Sequence, residues 1–62
     1  MEILIWTKRT ERGLSCRQLA ERTGLSKSTI NNLENLKSSP TLEELKIISI
    51  ALNCHITDLF IE

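Results

Sequence analysis

A stretch of twenty residues, Cys16 to Asn35, constrains the fold of this chain more than any other, because it carries two helical patterns with almost no chain between them. Ser15 is a suitable N-cap for the first helix, and Gln18 completes a capping box with it. Gly24 can end this helix in the left-handed conformation, and Ser26 can cap the next helix. Two helices joined by so short a turn must cross at a steep angle.

The apolar positions of the two helices indicate which sides face a shared core. Leu19 and Ala20 are predicted to face inward from the first helix, and Ile30 and Leu33 from the second, where a spacing of three places them on one side. Ala20 is small, which suits a position where two helices touch, although alanine is also simply a good helix former. The pattern predicts a helix-turn-helix unit.

The residues before this unit predict another helix, from about residue 3 to residue 12, with Gly13 in the left-handed position after it. The run ILIW at residues 3–6 is also β-prone. We prefer a helix, because no second strand-like run of similar quality follows with which this one would pair.

The residues after the unit predict a loop and two more helices. Pro40 disfavours helix at the residue before it, and Thr41 with Glu44 forms a second capping box. The next helix is expected from about residue 42 to residue 52, followed by Asn53 in the left-handed conformation and a single turn capped by Thr57. Residues predicted to face the core are Leu42, Leu45, Ile48, Leu52, Leu59 and Phe60.

The predicted elements together give an all-α fold of five helices, and the length limits the chain to one compact domain over residues 1–62. A chain of 62 residues with 40% hydrophobic content can form one core but not two. Residues 1–40 carry seven Lys or Arg against four Glu, and residues 41–62 carry one Lys against four acids, so charges of +3 and −3 sum to zero. A basic half suits a nucleic-acid binder, although a difference of this size also arises by chance.

The two cysteines, Cys16 and Cys54, do not indicate a metal site. They lie 38 positions apart and the chain has one histidine, so no zinc ligand set has the usual spacing. A disulfide between them is an alternative, but no signal peptide precedes them, and the run ILIW is too short to span a membrane. We therefore expect a cytoplasmic, reduced protein with no metal, no cofactor and no membrane partner.

From Gly13 to Phe60 the chain resembles the phage repressor and Cro family of helix-turn-helix DNA-binding domains, the XRE type. The family has alanine where Ala20 stands, glycine where Gly24 stands, and apolar residues at positions 19, 25, 30 and 33, and all six requirements are met. The segments that carry the resemblance are GLS at 13–15, LA at 19–20, GLS at 24–26, STI at 28–30, LEN at 33–35, and the later PTLEEL, ALN and DLF. It implies a lambda-repressor-like fold.

The resemblance also implies double-stranded DNA as the partner, with the third helix in the major groove. The residues placed toward base edges are Lys27, Ser28, Thr29, Asn31 and Asn32, whose side chains can all bond to bases. The residues expected to contact phosphates are Arg17, Asn35, Lys37 and Ser38. The alternative is that these residues form an ordinary solvated helix face. Asn31 and Asn32 speak against it, because asparagine is a poor helix former and a purely structural surface would favour Glu, Lys or Ala.

Scaffold features follow from the same resemblance. A partly buried salt bridge between Arg9 and Glu34 would tie the first helix to the third. Cys16 stands where the family often has a glutamine that contacts phosphate, so the amide for that contact is missing. Leu36 stands where glycine is usual, so Asn35 or Lys37 is expected to adopt the conformation of the turn. At an apolar position of the family pattern, Cys54 is expected to be a small buried hydrophobe.

The outward side of the fourth helix carries Ile47 and Ile50, and Ile61 follows at the end of the chain. Exposed residues of this kind predict an association surface. A two-fold dimer through these three residues would place two reading helices about 34 Å apart, as a palindromic site requires. Scattered surface isoleucines also occur without any function.

We therefore expect a sequence-specific DNA-binding transcriptional regulator, a repressor that acts as a homodimer on a palindromic operator. The alternative is a protein-interaction module, antitoxin-like or scaffolding, that uses the same fold without sequence-specific DNA binding. An enzyme is not expected, because the sequence has no serine, histidine and acid arrangement and no glycine-rich phosphate loop.

Overall fold

The computed structural model describes residues 1–36 and 39–62. Along the chain lie strand β1 (Glu2–Ile3), helices α1 (Ile5–Glu11), α2 (Cys16–Thr23), α3 (Lys27–Glu34) and α4 (Leu42–Ala51), a 3-10 helix (Ile56–Leu59) and strand β2 (Phe60–Ile61). In this described part there are four α-helices, not five, because the last predicted helix is one 3-10 turn. The fold is mostly helical, but the all-α prediction is wrong in detail, since the two ends of the chain form a small antiparallel sheet.

The N-terminal segment differs from the helix predicted over residues 3–12. β1 pairs with β2, with Ile3 opposite Phe60, and the amide of Leu4 donates to the carbonyl of Leu59 at 2.7 Å. α1 therefore starts only at Ile5. The β-prone run does find a partner, but this partner is a two-residue strand at the far end of the sequence, too short to be recognised in advance.

Side-chain caps fix where α2, α3 and α4 begin, as predicted. The amide of Gln18 donates to Ser15 Oγ at 3.1 Å, and the amide of Ser15 donates back to Gln18 Oε1 at 2.8 Å. Each such cap stabilises its helix by about 1 kcal/mol. The equivalent predicted caps are also present, Ser26 bonded to the amide of Thr29 and Thr41 paired with Glu44. The prediction for the last turn is wrong: it begins after His55, and Thr57 lies within it.

Left-handed residues end the helices, and one of them was not predicted. Gly13, Gly24 and Asn53 have φ of 70°, 78° and 54°, as expected. After α3, however, Leu36 itself takes φ of 59°, so the assignment of this turn to Asn35 is wrong, whereas the assignment to Lys37 lies outside the described residues. Asn35 still follows the helix, because its amide donates to the carbonyl of Asn31 at 3.0 Å, and the chain reverses one residue later.

One apolar core joins all the elements. Its buried members are Ile5, Leu14, Leu19, Ile30, Leu33, Leu45, Ile48, Leu52 and Leu59, with Cys54 and Phe60 partly buried against them. The prediction that Leu42 faces inward is wrong, since this side chain is 72% exposed. With 3.6 residues per turn, Leu42 lies in a row with Lys46 and Ile50 on the outer side of α4. In the described part of the chain, no helix has the length and apolar character needed to cross a membrane.

A buried ion pair fastens α1 to α3. Arg9 Nε donates to Glu34 Oε2 at 2.7 Å, and a terminal nitrogen of the same guanidinium donates to Oε1 at 3.1 Å. The other terminal nitrogen donates to the carbonyl of Leu14, just before α2, at 2.8 Å. The hydrogen bond to Glu34 raises the pKa of Arg9, so the arginine stays charged throughout the ordinary pH range.

We expect Glu34→Ala to destabilise the domain by about 3 to 5 kcal/mol, because it leaves the Arg9 guanidinium buried without its counter-ion. The Glu11→Ala variant is the matched control: it breaks the more exposed pair of Lys8 and Glu11, 3.7 Å apart, and should cost less than about 1 kcal/mol. Urea unfolding followed by circular dichroism measures both. Equal unfolding midpoints for the two variants would contradict a structural role for the buried pair.

We expect Leu36→Gly to stabilise the protein by about 0.5 to 1 kcal/mol. Glycine removes the steric cost of the left-handed conformation, and this gain is larger than the loss of stability that comes from the greater conformational entropy of glycine in the unfolded chain. The side chain is 65% exposed, so little packing is lost. Asn35→Gly, one residue earlier at φ of −94°, should lower stability instead. Thermal melts of both variants should shift in opposite directions.

Candidate nucleic-acid interface

The turn between α2 and α3 fixes how the two helices meet. Gly24 donates its amide to the carbonyl of Ala20 at 2.9 Å while its own backbone is left-handed. Thr23 strengthens the turn in a way that the sequence reading missed. Its hydroxyl donates to the carbonyl of Leu19 at 2.9 Å and accepts from the amide of Leu25 at 3.2 Å. Leu25 in turn packs partly buried against the core.

The two sides of α3 differ in character. Ile30 and Leu33 are buried in the core, with exposed fractions of 0% and 1%. Lys27, Ser28 and Asn31 are exposed. With 3.6 residues per turn, Lys27, Asn31 and Asn35 form one row on the outer side, and Ser28 and Asn32 form the next. The structure thus brings four of the five residues predicted to face bases onto one polar surface, which also includes Asn35.

Thr29, the fifth of these residues, lies at the margin of that surface. It is half-buried, and its hydroxyl shares a hydrogen bond of 2.8 Å with the hydroxyl of Ser26, the N-cap of α3. Its backbone amide also donates to Ser26. Thr29 therefore helps to hold the start of α3. It does not lie in the outer row of Lys27.

Asn31 and Asn35 are joined to each other on the outer row. Asn35 Nδ2 donates to Asn31 Oδ1 at 3.1 Å, and both residues are exposed. Asn35 was predicted from the sequence as a phosphate contact, and its bond to a neighbouring side chain was not foreseen.

The residues predicted to contact phosphates are spread over two helices and a loop. Arg17 is exposed in the first turn of α2, and Asn35 is exposed after the last turn of α3. Lys37 and Ser38 lie outside the described residues. Cys16, at the first position of α2, is half-buried and donates its thiol toward Glu34 Oε1 at 3.7 Å. Burial raises the pKa of this thiol, so it remains protonated and faces the scaffold.

The structure brings together two of the three residues of the predicted association surface. Ile47 and Ile50 line an open groove on the outer side of α4, together with Leu42, Glu43 and Lys46. Ile50 is 70% exposed, whereas Ile47 is half-buried. Ile61 is exposed in β2, opposite Glu2, and does not line this groove.

Comparisons with known proteins agree with this geometry. The family model described as helix-turn-helix matches residues 7–59. An uncharacterized HTH-type transcriptional regulator from Methanothermobacter thermautotrophicus is 44% identical over 62 residues, which are 98% of this chain and 90% of that relative. The N-terminal DNA-binding domain of SinR from Bacillus subtilis superposes with a TM-score of 0.82 at 34% identity, covering 94% of this chain and 86% of that domain.

Capped α2 and α3, the left-handed glycine between them and the family match over residues 7–59 lead to one conclusion: the chain belongs to the XRE-type helix-turn-helix family.

Proposed function

We propose that this protein is a sequence-specific double-stranded DNA-binding transcriptional regulator, a repressor that acts as a homodimer on a palindromic operator. The observation that carries the proposal is the exposed polar side of α3, held by a helix whose opposite side is buried in the core. A helix fixed in this way can place side chains against base edges with little loss of conformational freedom. The likeness to the SinR DNA-binding domain supports the same function.

The polar side chains on the outer side of α3 offer chemistry suited to the major groove. Lys27 can donate to guanine O6 and N7, and Ser28 can bond to a base or a phosphate. Asn32 can pair with adenine through both atoms of its amide. Arg17 at the start of α2 is exposed and would neutralise a phosphate. Base contacts on α3 would give the specificity, and the charges beside them would give affinity.

A second copy would supply the other half of the site. One domain measures 27 Å in its longest dimension, whereas successive major-groove faces on one side of the duplex lie about 34 Å apart. The groove on α4 offers exposed apolar side chains for such a pairing, with Leu42 and Ile50 more exposed than Ile47. A dimer bound across a promoter would repress by occupying it.

Selection from a pool of random duplexes tests DNA recognition directly. Enrichment of a palindromic site, with affinity that falls steeply as salt rises, is the expected result. Tight binding to a protein without any selected DNA site would instead favour the protein-interaction module.

We expect Lys27→Ala and Asn32→Ala each to weaken binding to the selected site by about 1 to 3 kcal/mol and to relax the preference at one base position. Arg17→Ala is the contrasting variant, since loss of a phosphate contact should weaken all sequences alike and reduce the salt slope by about 1. Binding titrations on the selected site and on single-base variants measure both effects. A uniform loss in the Lys27 or Asn32 variant would make that residue a phosphate contact.

We expect Leu42→Lys combined with Ile50→Lys to give a monomer in sedimentation velocity, because both side chains are more than two-thirds exposed, at 72% and 70%, and carry the apolar surface of the groove. Trp6→Lys is the matched control, since Trp6 is also apolar and 57% exposed but does not line the groove. If the double variant sediments like the unmodified protein while the latter is dimeric, the interface lies elsewhere, and Ile61 becomes the next position to change.

A further inference from the structure

The groove on the outer side of α4 combines apolar side chains with one charge of each sign. Leu42 and Ile50 are exposed in it, and Ile47 is half-buried. Glu43 and Lys46 are exposed and line the same groove. Exposed apolar side chains that are gathered in one place, rather than scattered singly, mark an interaction site. A partner that fits this groove must therefore be apolar and must also meet both charges.

Neither charge of the groove is used within the domain. A spacing of three places Glu43 and Lys46 near each other on one side of α4. Within residues 1–36 and 39–62, however, the two do not form a salt bridge with each other or with another side chain. Both charges are therefore available to a partner.

A second copy of the chain offers both charges in return, provided that the two α4 helices run antiparallel. In a two-fold contact the same surface lies on both sides. If the helices ran parallel, Glu43 would face Glu43 and Lys46 would face Lys46, and like charges brought together at an interface repel. If the helices run antiparallel about a point midway between these two positions, Glu43 of each copy faces Lys46 of the other.

The same alignment also brings apolar side chains together. Reversal about the midpoint of positions 43 and 46 places position 42 opposite position 47, so Leu42 of each copy lies against Ile47 of the other. At a rise of 1.5 Å per residue, both kinds of pair fall within about 8 Å of helix length. Ile50, about one turn after Lys46, lies at the outer end of the contact, near the start of α4 in the other copy.

We propose that this groove is a self-complementary dimer contact, in which α4 runs antiparallel to α4 of the second copy and Glu43 of each copy pairs with Lys46 of the other. The inference rests on the proposed function, since it gives the proposed homodimer its geometry. The apolar contacts supply the affinity. The two ion pairs fix the direction and alignment of the helices, because charge complementarity contributes specificity more than raw affinity.

Reversal of each charge in turn tests the contact. Glu43→Lys and Lys46→Glu each place like charges opposite one another, and the change acts twice because the contact is two-fold. In sedimentation equilibrium we expect each variant alone to raise the dimer Kd by about tenfold or more. An equal mixture of the two variants has opposite charges at both contacts, so mixed dimers should form with a Kd within about threefold of the unmodified value. A purification tag on one variant lets native mass spectrometry identify the mixed dimer.

Glu21→Lys is the matched control, because Glu21 is exposed on α2 and does not line the groove. It changes the net charge as much as Glu43→Lys does, so general attraction between oppositely charged chains acts equally on both. Alone, it should dimerise like the unmodified protein. Its mixed dimers with Lys46→Glu should stay weaker than those of Glu43→Lys with Lys46→Glu, because one contact still sets two carboxylates against each other.

A chain that carries both Glu43→Lys and Lys46→Glu should again form a dimer with itself, since both pairs are restored with their polarity reversed. Circular dichroism melts check that the variants fold, as we expect for changes at two exposed side chains. An unchanged Kd in both single variants would overturn the inference. A mixture that associates no more tightly than either variant alone would overturn it as well, and so would an unmodified protein that stays monomeric at every concentration.

These outcomes are separable from the fate of the proposed function. If the single variants still enriched a palindromic duplex with the affinity of the unmodified protein, the regulator would stand and its dimer contact would lie elsewhere. If mixed dimers formed as expected while the unmodified protein enriched no duplex, the contact would stand and the DNA-binding function would fall.

Discussion

The orientation of α3 depends on the hydrogen bonds that the Arg9 guanidinium makes. This group bonds to the carboxylate of Glu34 at the end of α3 and to the carbonyl of Leu14 before α2, so one buried cation joins three segments. Such a pair is not a large net source of stability, because desolvation of the charges offsets much of their attraction. The two groups must nevertheless meet in the folded state, because either one buried without its partner would be a costly unpaired charge. The pair therefore specifies where the helix lies more than it strengthens the fold.

Both ends of α3 are fixed to the rest of the domain, so some of its side chains hold the helix in place and the others are left exposed on its outer side. The Ser26 cap holds its first turn and Glu34 holds its last, while the buried apolar side holds the middle. The thiol of Cys16 belongs to this scaffold as well, because it points toward Glu34 and is kept protonated by burial. At the start of α2, the exposed side chain that remains for a phosphate is Arg17.

Signals between near neighbours predicted most of this structure from the sequence. The capping residues, Gly24 and the spacing of Ile30 and Leu33 act within one or two turns of chain, so their residue types are sufficient evidence. What could not be predicted depends on distant or competing contacts. The strand pairing of β1 joins residues almost sixty positions apart, and Leu36 adopts the left-handed turn because the preceding residue continues the helix. The bond between Asn31 and Asn35 is local, but residue types alone do not say whether two exposed amides meet.

The error at Leu42 has a geometric cause that bears on self-association. A spacing of three from Leu45 suggested a common inward face, but the core side of α4 is centred on Leu45, Ile48 and Leu52, and a spacing of four links Leu42 to Lys46 and Ile50 instead. The outer side of α4 therefore carries more apolar surface than the sequence reading assigned to it. A two-fold contact must be complementary to itself. Glu43 and Lys46, of opposite charge, line the same groove as the apolar residues, so in the proposed homodimer each copy would offer the other both apolar surface and charges of both signs.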